Sequence, residues 1–234
     1  MLYSMPKKIQ FVPSTAKWSV VSKQSVLVVV GLSELLVNKD LSNSVLMQNL
    51  NSVIGKAKAL DIPIVDLFGV DAMQGMQRLG ELMSHYQQLM IVGQITPLLK
   101  QILPHLMSIT EQICIIEDAI ILLNAELHIQ WVDSLTSQNI HHMNSYSINR
   151  LWSLSAPTEY VLSAKGILLA LAEQLNMEAL EIDPSTDLRS YGLDSVAMVS
   201  LVGLWRANGA NITYESFWQH ASVNELLQIL MPKN

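Results

Sequence analysis

The chain has 234 residues, a length that allows either one large domain or two smaller ones. Hydrophobic residues make up 50% of it and charged residues 15%, a composition that excludes wholesale disorder. The net charge of −6 gives no electrostatic reason to expect a nucleic-acid partner. The apolar runs are interrupted well short of the ~20 residues that a membrane span needs, and no secretory leader is recognisable. We therefore expect a cytoplasmic protein with no membrane span.

The charge is distributed unevenly along the chain. Residues 1–154 carry 10 Lys and Arg against 11 Asp and Glu, a balance of −1. Residues 155–234 carry 4 against 9, a balance of −5 in a much shorter stretch. A Ser-Ala-Pro-Thr sequence between Leu154 and Thr158 interrupts the hydrophobic pattern between these two parts. We therefore predict two domains, at 1–154 and 155–234.

The first part of the chain alternates between apolar, β-branched runs and segments with helical spacing. The predicted strands are 25–30, 62–68, 89–92 and 113–116, with 145–148 as a fifth candidate, and the predicted helices are 41–60, 76–83, 97–107 and 125–137. Strands this apolar, separated by helices, are typical of a parallel sheet that is covered on both faces. The prediction is a three-layer α/β sandwich.

Three segments of this part match a known family in order and spacing. They run from Ser25 to Val37, from Gln88 to Gly93 and from Ile113 to Ala119. They resemble the first, central and late strands of the isochorismatase-like hydrolases. The resemblance implies an isochorismatase-like fold, with a late strand that ends in an acidic-Ala turn.

The residues that carry the chemistry of that family are not matched. The resemblance implies a catalytic Asp at the end of the first strand, where this chain has Gly31, and a Cys or small residue after the central strand, where it has Lys100. The family's Lys before the central strand is also missing, because Arg78 is the sole basic residue in that connection. Cleavage of a vinyl ether needs a positioned acid, and amide hydrolysis by relatives needs a thiolate. We therefore expect a catalytically inactive domain.

Other side chains in this part leave an alternative open. Isochorismate hydrolysis could persist with Glu34 or Asp66 as the acid. Cys114 is the single cysteine and forbids an internal disulfide, and its place inside an apolar strand predicts a buried thiol rather than a nucleophile. His141 and His142 have no carboxylate or thiol at ligand spacing beside them, so we predict that they are surface residues and that there is no metal site.

The last 80 residues have the pattern of a small helical domain. The predicted helices cover 158–175, the second half of 191–206, 214–218 and a last segment that begins with a capping box of Ser222 and Glu225. A long loop of turn-forming residues separates the first two helices. The prediction is a four-helix bundle.

A four-residue string, Gly192-Leu193-Asp194-Ser195, lies where that loop meets the second helix. Gly192 permits a turn and Asp194 favours the start of a helix. The hydroxyl of Ser195 is expected to be exposed at a helix N-terminus, which favours negative charge. The alternative is that Asp194 and Ser195 merely cap the helix.

This string resembles the attachment motif of the acyl, peptidyl and aryl carrier proteins, and the resemblance covers nearly all of residues 158–234. It implies that Ser195 carries a covalently attached 4′-phosphopantetheine arm, with Gly192, Leu193 and Asp194 completing the site. It also implies a phosphopantetheinyl transferase as a partner.

Among the carriers, the run from Tyr191 to Val196 followed by Leu204-Trp205-Arg206 is most similar to the aryl carrier domains of catecholate siderophore assembly lines, which are often fused behind an isochorismatase domain. This resemblance implies an aryl acid such as 2,3-dihydroxybenzoate or salicylate as cargo. An aryl-acid adenylating enzyme would load it, and a condensation domain of a nonribosomal peptide synthetase would take it. A homodimer through the first domain is a further possibility. Relatives often carry a basic residue where this chain has Ala197, a departure that bears on the identity of the partner enzymes.

One side of the helix after Ser195 carries small residues at helical spacing: Val196, Ser200, Gly203 and Ala207. Two interpretations are open. A partner enzyme could approach the helix closely on this side, or the side could pack against another helix of the bundle. Val199 is predicted to lie in the core.

Overall fold

The computed structural model describes residues 18–31, 35, 44–67, 72–138 and 140–231. The chain divides into two compact units between Ser155 and Ala156. None of the helices in the described ranges is both long and apolar enough to cross a bilayer.

The described part of the first unit alternates between strands and helices. The strands are β1 (Ser25–Val30), β2 (Ile64–Leu67), β3 (Gln88–Gln94), β4 (Gln112–Ile121) and β5 (His141–Met143), and the helices are α1 (Val45–Ala59), α2 (Ala72–Leu82), α3 (Pro97–Ile109), α4 (Ala125–Ser137) and α5 (Ser145–Leu154). The sheet has the order β2-β1-β3-β4-β5, and every neighbouring pair is parallel. This is the strand order of a doubly wound fold. The chain adds β2 on one side of β1 and the later strands on the other side, so the switch point lies between β1 and β3.

Two apolar clusters form the core, one on each face of the sheet. On one face, Val26 and Val28 of β1 belong to the same cluster as Leu79 of α2, Leu103 of α3 and Val132 of α4. On the other face, Leu27 and Val29 share a cluster with residues of α1 and α5, including the fully buried Trp152. The predicted parallel α/β sandwich is therefore confirmed, and its continuous apolar strands reflect burial on both sides.

The fifth strand is an error in the sequence analysis. Residues 145–148, predicted as a strand, begin helix α5, and the fifth strand is β5 just before them. Asn144 caps α5 by accepting a hydrogen bond from the amide of Ser147 at 2.8 Å. Ile148 and Trp152, four residues apart, are both fully buried, as the helical period requires. The four residues 145–148 were too few to separate the two periods.

Strand β4 also differs from its expected form. It continues through the predicted acidic-Ala turn, so that Glu117, Asp118 and Ala119 lie inside the strand. The pairing with β3 changes register here, since Ile91 pairs with Ile115 whereas Gly93 pairs with Ile120. Such an irregularity redirects side chains locally.

The second unit is helical. Its helices are α6 (Thr158–Val161), α7 (Ala164–Leu175), α8 (Ser195–Ala207), α9 (Tyr214–Gln219) and α10 (Val223–Leu230), with 3₁₀ turns at Ala179–Glu181 and Leu188–Tyr191. The predicted capping box of Ser222 and Glu225 at the start of α10 is confirmed. The buried side chains of this unit include Ile167, Leu171, Leu188, Met198, Leu201, Trp205, Phe217 and Leu226. Val199, predicted in the core, is instead 59% exposed on α8.

The predicted helix 158–175 is interrupted, which corrects a second boundary. Ser163 caps α7 by accepting a hydrogen bond from the amide of Gly166 at 3.0 Å. A Cβ at Gly166 would lie 2.0 Å from the carbonyl oxygen of Tyr160, so the chain can double back here only past a glycine. The cap and the close approach together end α6 and start α7.

Candidate functional site

The turn from Asp187 to Asp194 leads directly into α8. Asp187 caps its 3₁₀ segment by accepting a hydrogen bond from the amide of Arg189, and Gly192 ends the segment with a φ of +96°. A Cβ at Gly192 would meet nothing within 4 Å, so the left-handed backbone, rather than crowding, favours glycine. The buried Leu193 donates its amide to the carbonyl of Leu188 at 3.2 Å, which closes the turn.

Asp194, and not Ser195, caps α8. The Asp194 carboxylate accepts a hydrogen bond from the amide of Ala197 at 2.8 Å. Ser195 is the first residue of the helix, its side chain is exposed, and its hydroxyl has no hydrogen-bond partner within the described residues. The capping alternative is therefore confirmed for Asp194 and wrong for Ser195. Its hydroxyl is uncommitted and accessible.

The surroundings of Ser195 at the N-terminus of α8 suit a phosphate-linked group. The amides of Ser195 and Val196 open the helix and find no acceptor among the described residues, so they present partial positive charge to a bound anion. Gly192 and Asp194 are exposed on the same turn.

Ionised carboxylates surround this region of the second unit. Hydrogen bonds from Arg189 lower the pKa of Asp187 to about 2. Hydrogen bonds from Ser185 lower the pKa of Asp183, and hydrogen bonds from Ser222 lower the pKa of Glu225. These groups are exposed and remain charged at neutral pH, so the unit presents an acidic surface to a partner.

The exposed side of α8 extends from Ser195 along the helix. Val196 is 76% exposed, Ser200 is half-buried, and a Cβ at Gly203 would meet nothing within 4 Å. The opposite side, with Met198, Leu201, Val202 and Trp205, faces the core. The small residues predicted on one side of the helix are thus exposed or half-buried and are not part of the core. The approach of a partner on this side stays a prediction.

The first unit contains a cleft of about 410 Å³ beyond the carboxyl ends of β3 and β4. Its described lining includes Leu35, Ile95, Thr96, Leu122 and Lys100. Lys100 is exposed at the first turn of α3, and the described lining residues include no carboxylate and no thiol. Ligands of doubly wound folds bind at this edge of the sheet, but the described lining residues supply neither a carboxylic acid nor a thiol.

The structure describes some of the candidate catalytic residues of the first unit and not others. Gly31 follows β1, Asp66 lies half-buried within β2, and Glu34 lies outside the described residues. Cys114 is fully buried, as predicted, and burial strongly raises the pKa of its thiol. A thiol of this kind is a poor nucleophile.

The prediction that His141 and His142 are surface residues is wrong for His142, and His141 is half-buried. The Nδ1 atom of His142 lies 2.9 Å from a carboxylate oxygen of Glu117, and both side chains are almost buried. His128 of α4 contacts the carbonyl oxygen of Glu117 at 2.8 Å and is itself buried, a burial that lowers its pKa. Sequence spacing could not reveal this cluster, because it depends on the register of β4 and β5. No group of three potential metal ligands occurs in the described part of the chain.

Comparison with known proteins identifies the second unit. Residues 165–230 match the model of the phosphopantetheine attachment site family. A stretch of 63 residues is 35% identical to phenyloxazoline synthase MbtB of Mycobacterium sp. (strain MCS). That stretch is 27% of this chain and 5% of the length of that synthase.

The second unit is thus a carrier domain whose cofactor is 4′-phosphopantetheine, attached covalently to a serine. A carrier domain of this kind receives its arm from a phosphopantetheinyl transferase. The exposed serine at the start of α8 fits such an attachment, since its hydroxyl is accessible and two unpaired amides lie beside it.

Proposed function

We propose that Ser195 is the serine that bears the arm and that the second unit carries an aryl acid, as a thioester on that arm, for nonribosomal peptide assembly of a siderophore. The observation that supports the site assignment is that Asp194, and not Ser195, caps the start of α8. Asp194 satisfies the helix N-terminus, so the hydroxyl of Ser195 remains exposed and free to react.

The roles of the neighbouring residues follow from their positions. Ser195 Oγ attacks the phosphorus next to the pantetheine arm of coenzyme A and loses its proton to the transferase or the solvent. The bond from that phosphorus to the bridging pyrophosphate oxygen breaks, and adenosine 3′,5′-bisphosphate leaves. Gly192 and Leu193 hold the turn, through a left-handed backbone and a buried side chain. The arm, once attached, supplies a thiol that holds an acyl group.

An aryl acid is the cargo that two observations support. The residues from Tyr191 to Arg206 resemble aryl carrier domains. The similar synthase is named for a phenyl-bearing oxazoline. We infer 2,3-dihydroxybenzoate or salicylate as the class of cargo, an aryl-acid adenylating enzyme as the loading partner and a condensation domain as the recipient, all in the cytoplasm.

For the first unit we infer a catalytically inactive, isochorismatase-like scaffold that could also join two copies of the chain. Gly31 in place of an acid, the buried thiol of Cys114 and a cleft without a described carboxylate support this inference. Incubation of the full chain with isochorismate tests it, with no turnover expected. Turnover that disappears in Glu34→Ala or Asp66→Asn would establish the alternative, a bifunctional enzyme.

Intact mass spectrometry tests the cargo. The full chain is first incubated with coenzyme A and a phosphopantetheinyl transferase, and then with an aryl-acid adenylating enzyme, ATP and a mixture of acids. We expect the mass of one arm, followed by the added mass of a hydroxylated benzoic acid. Loading of an aliphatic amino acid by a matched adenylating enzyme, with no aryl loading, would contradict the aryl assignment and leave the carrier assignment intact.

A further inference from the structure

Arg189 makes two contacts at once on the turn before Ser195. Its guanidinium carbon lies 4.8 Å from the ring centroid of Trp218 in α9. Its Nε also donates to the two carboxylate oxygens of Asp187 at 2.9 and 3.0 Å, and a terminal nitrogen donates to the same carboxylate. The planar guanidinium can stack on a ring and engage a carboxylate in the same geometry, which an ammonium group cannot.

The two partners of Arg189 belong to different elements. Trp218 lies in α9, where its ring is 6.1 Å from that of Tyr214 of the same helix. Asp187 pairs with Ser222 in an isolated antiparallel bridge, and the amide of Leu188 donates to the carbonyl of Ala221 at 2.8 Å. The turn is thus attached to the connection between α9 and α10 by backbone bonds on one side and by the Arg189 side chain on the other.

We propose that the contact between Arg189 and Trp218 is a clasp that positions Ser195 for modification. Arg189 does not react, so it is a positioning residue that acts through the turn. The turn is short and closed by the bond from Leu193 to Leu188, so a displacement at Arg189 is transmitted to the first residue of α8. The clasp holds the hydroxyl in the orientation that the transferase uses.

The clasp makes a different kinetic prediction from a docking contact. A docking residue touches the transferase, so its loss raises KM. A positioning residue leaves docking intact and lowers the fraction of encounters in which the hydroxyl is correctly placed, so its loss lowers kcat.

The experiment is a double-mutant cycle on the full chain with coenzyme A and a phosphopantetheinyl transferase. Arg189→Met and Trp218→Leu should each lower kcat about two- to fivefold, the range expected from an exposed cation–π contact, and the double variant should be no slower than either. Lys165→Met is the control, because it removes a positive charge from an exposed position on α7 and should leave kcat unchanged. Trp218→Phe should restore most of the rate, since it keeps an aromatic face.

Hydrogen exchange of the free, unmodified chain provides a readout that does not involve the transferase. Exchange of the Leu193 amide should accelerate about two- to fivefold in Arg189→Met and in Trp218→Leu. The reason is that the clasp reduces the fraction of time for which the turn is open. A raised KM with unchanged kcat, additive effects, or unaltered Leu193 exchange would each overturn the clasp.

The inference rests on Ser195 as the attachment site, and the two fail in different ways. If Ser195→Ala is still modified, the site assignment is wrong. If Ser195→Ala is not modified but the cycle shows no coupling, only the clasp is wrong.

Discussion

The two units present their candidate sites in contrasting ways. At the start of α8, a contiguous run of four residues supplies the turn, the cap and the exposed hydroxyl. At the carboxyl edge of the sheet in the first unit, a cleft is present, yet its described lining is apolar apart from a few polar groups such as Lys100. The second unit therefore presents an exposed hydroxyl in a small fold, whereas the first unit has a larger fold around a cleft whose described lining contains no carboxylate and no thiol.

The two units depend on their side chains in different ways. The sheet of the first unit depends on buried apolar strands and not on the identity of the side chains at its carboxyl edge. The modification site of the second unit depends on one hydroxyl, which tolerates no substitution. The following predictions probe this difference by changing one unit and measuring each.

The largest effect is expected from Ser195→Ala. Attachment of the arm should be lost completely, because alanine has no oxygen to bond to phosphorus, while circular dichroism and the exchange of core amides stay unchanged. Ser200→Ala is the matched control, since Ser200 lies one turn along the same helix, and it should be modified normally. Modification of the Ser195 variant would move the site elsewhere.

In the first unit, the strongest effect is expected from His142→Ala. This change leaves the carboxylate of Glu117 almost buried without its imidazole partner at 2.9 Å, and should lower the stability of the sheet by about 1–3 kcal/mol. Exchange of the amides of Cys114 and Ile115 in β4 measures that loss. The rate of arm attachment to the second unit should not change, and a parallel loss there would show that the units are energetically coupled.

Two glycines of the second unit form a matched pair. Gly166→Ala places a Cβ 2.0 Å from the carbonyl oxygen of Tyr160, and should destabilise the carrier domain by about 1–3 kcal/mol. Gly203→Ala meets open space on an exposed helix, and should stabilise the domain by about 0.5–1 kcal/mol. Exchange of the Ile167 and Trp205 amides reports both effects.

A bulky substitution at Gly203 tests whether this side of α8 packs within the domain or is approached by a partner enzyme. Gly203→Glu should leave the domain folded, because this side of α8 is open, but should slow aryl transfer to the condensation domain. Unfolding of this variant would contradict the structure of the helix, and an unchanged transfer rate would show that partners do not use this side.

The sequence analysis succeeded where structure depends on local pattern. Strand β1 and helix α4 follow from apolar runs and helical spacing, and the turn at Gly192 follows from residues next to Ser195. It failed where distant residues decide the outcome. Strand β5 has three half-buried residues and no apolar alternation, so its neighbour β4 determines it. The division between α6 and α7 depends on the approach of Gly166 to Tyr160, although Ser163 was a visible cap signal.

The pairing of Glu117 with His142 could not be predicted either, because it also depends on residues that are distant in the sequence. The residues are 25 positions apart and meet because β4 shifts its register and β5 lies beside it. Asp118 in the same irregular stretch accepts hydrogen bonds from the amide and hydroxyl of Ser145, which anchors the start of α5. Burial raises the pKa of Asp118 while these hydrogen bonds oppose the rise.

Removal of the whole first unit should have the smallest effect on attachment of the arm. The second unit has its own core around Trp205 and Phe217, whose ring centroids lie 5.4 Å apart, and Leu188 connects the turn before Ser195 to that core. About 80 residues with such a core are a workable, though marginal, size for independent folding. We therefore expect residues 155–234 alone to be helical by circular dichroism and to accept the arm and the aryl group at the rate of the full chain.

Transfer to the condensation domain should be slower if the first unit is dimeric, because two linked carriers have a higher local concentration near their partners. A segment that is unfolded, or that is folded yet refused by the transferase, would show that the first unit is part of the carrier and would remove the contrast between the two units.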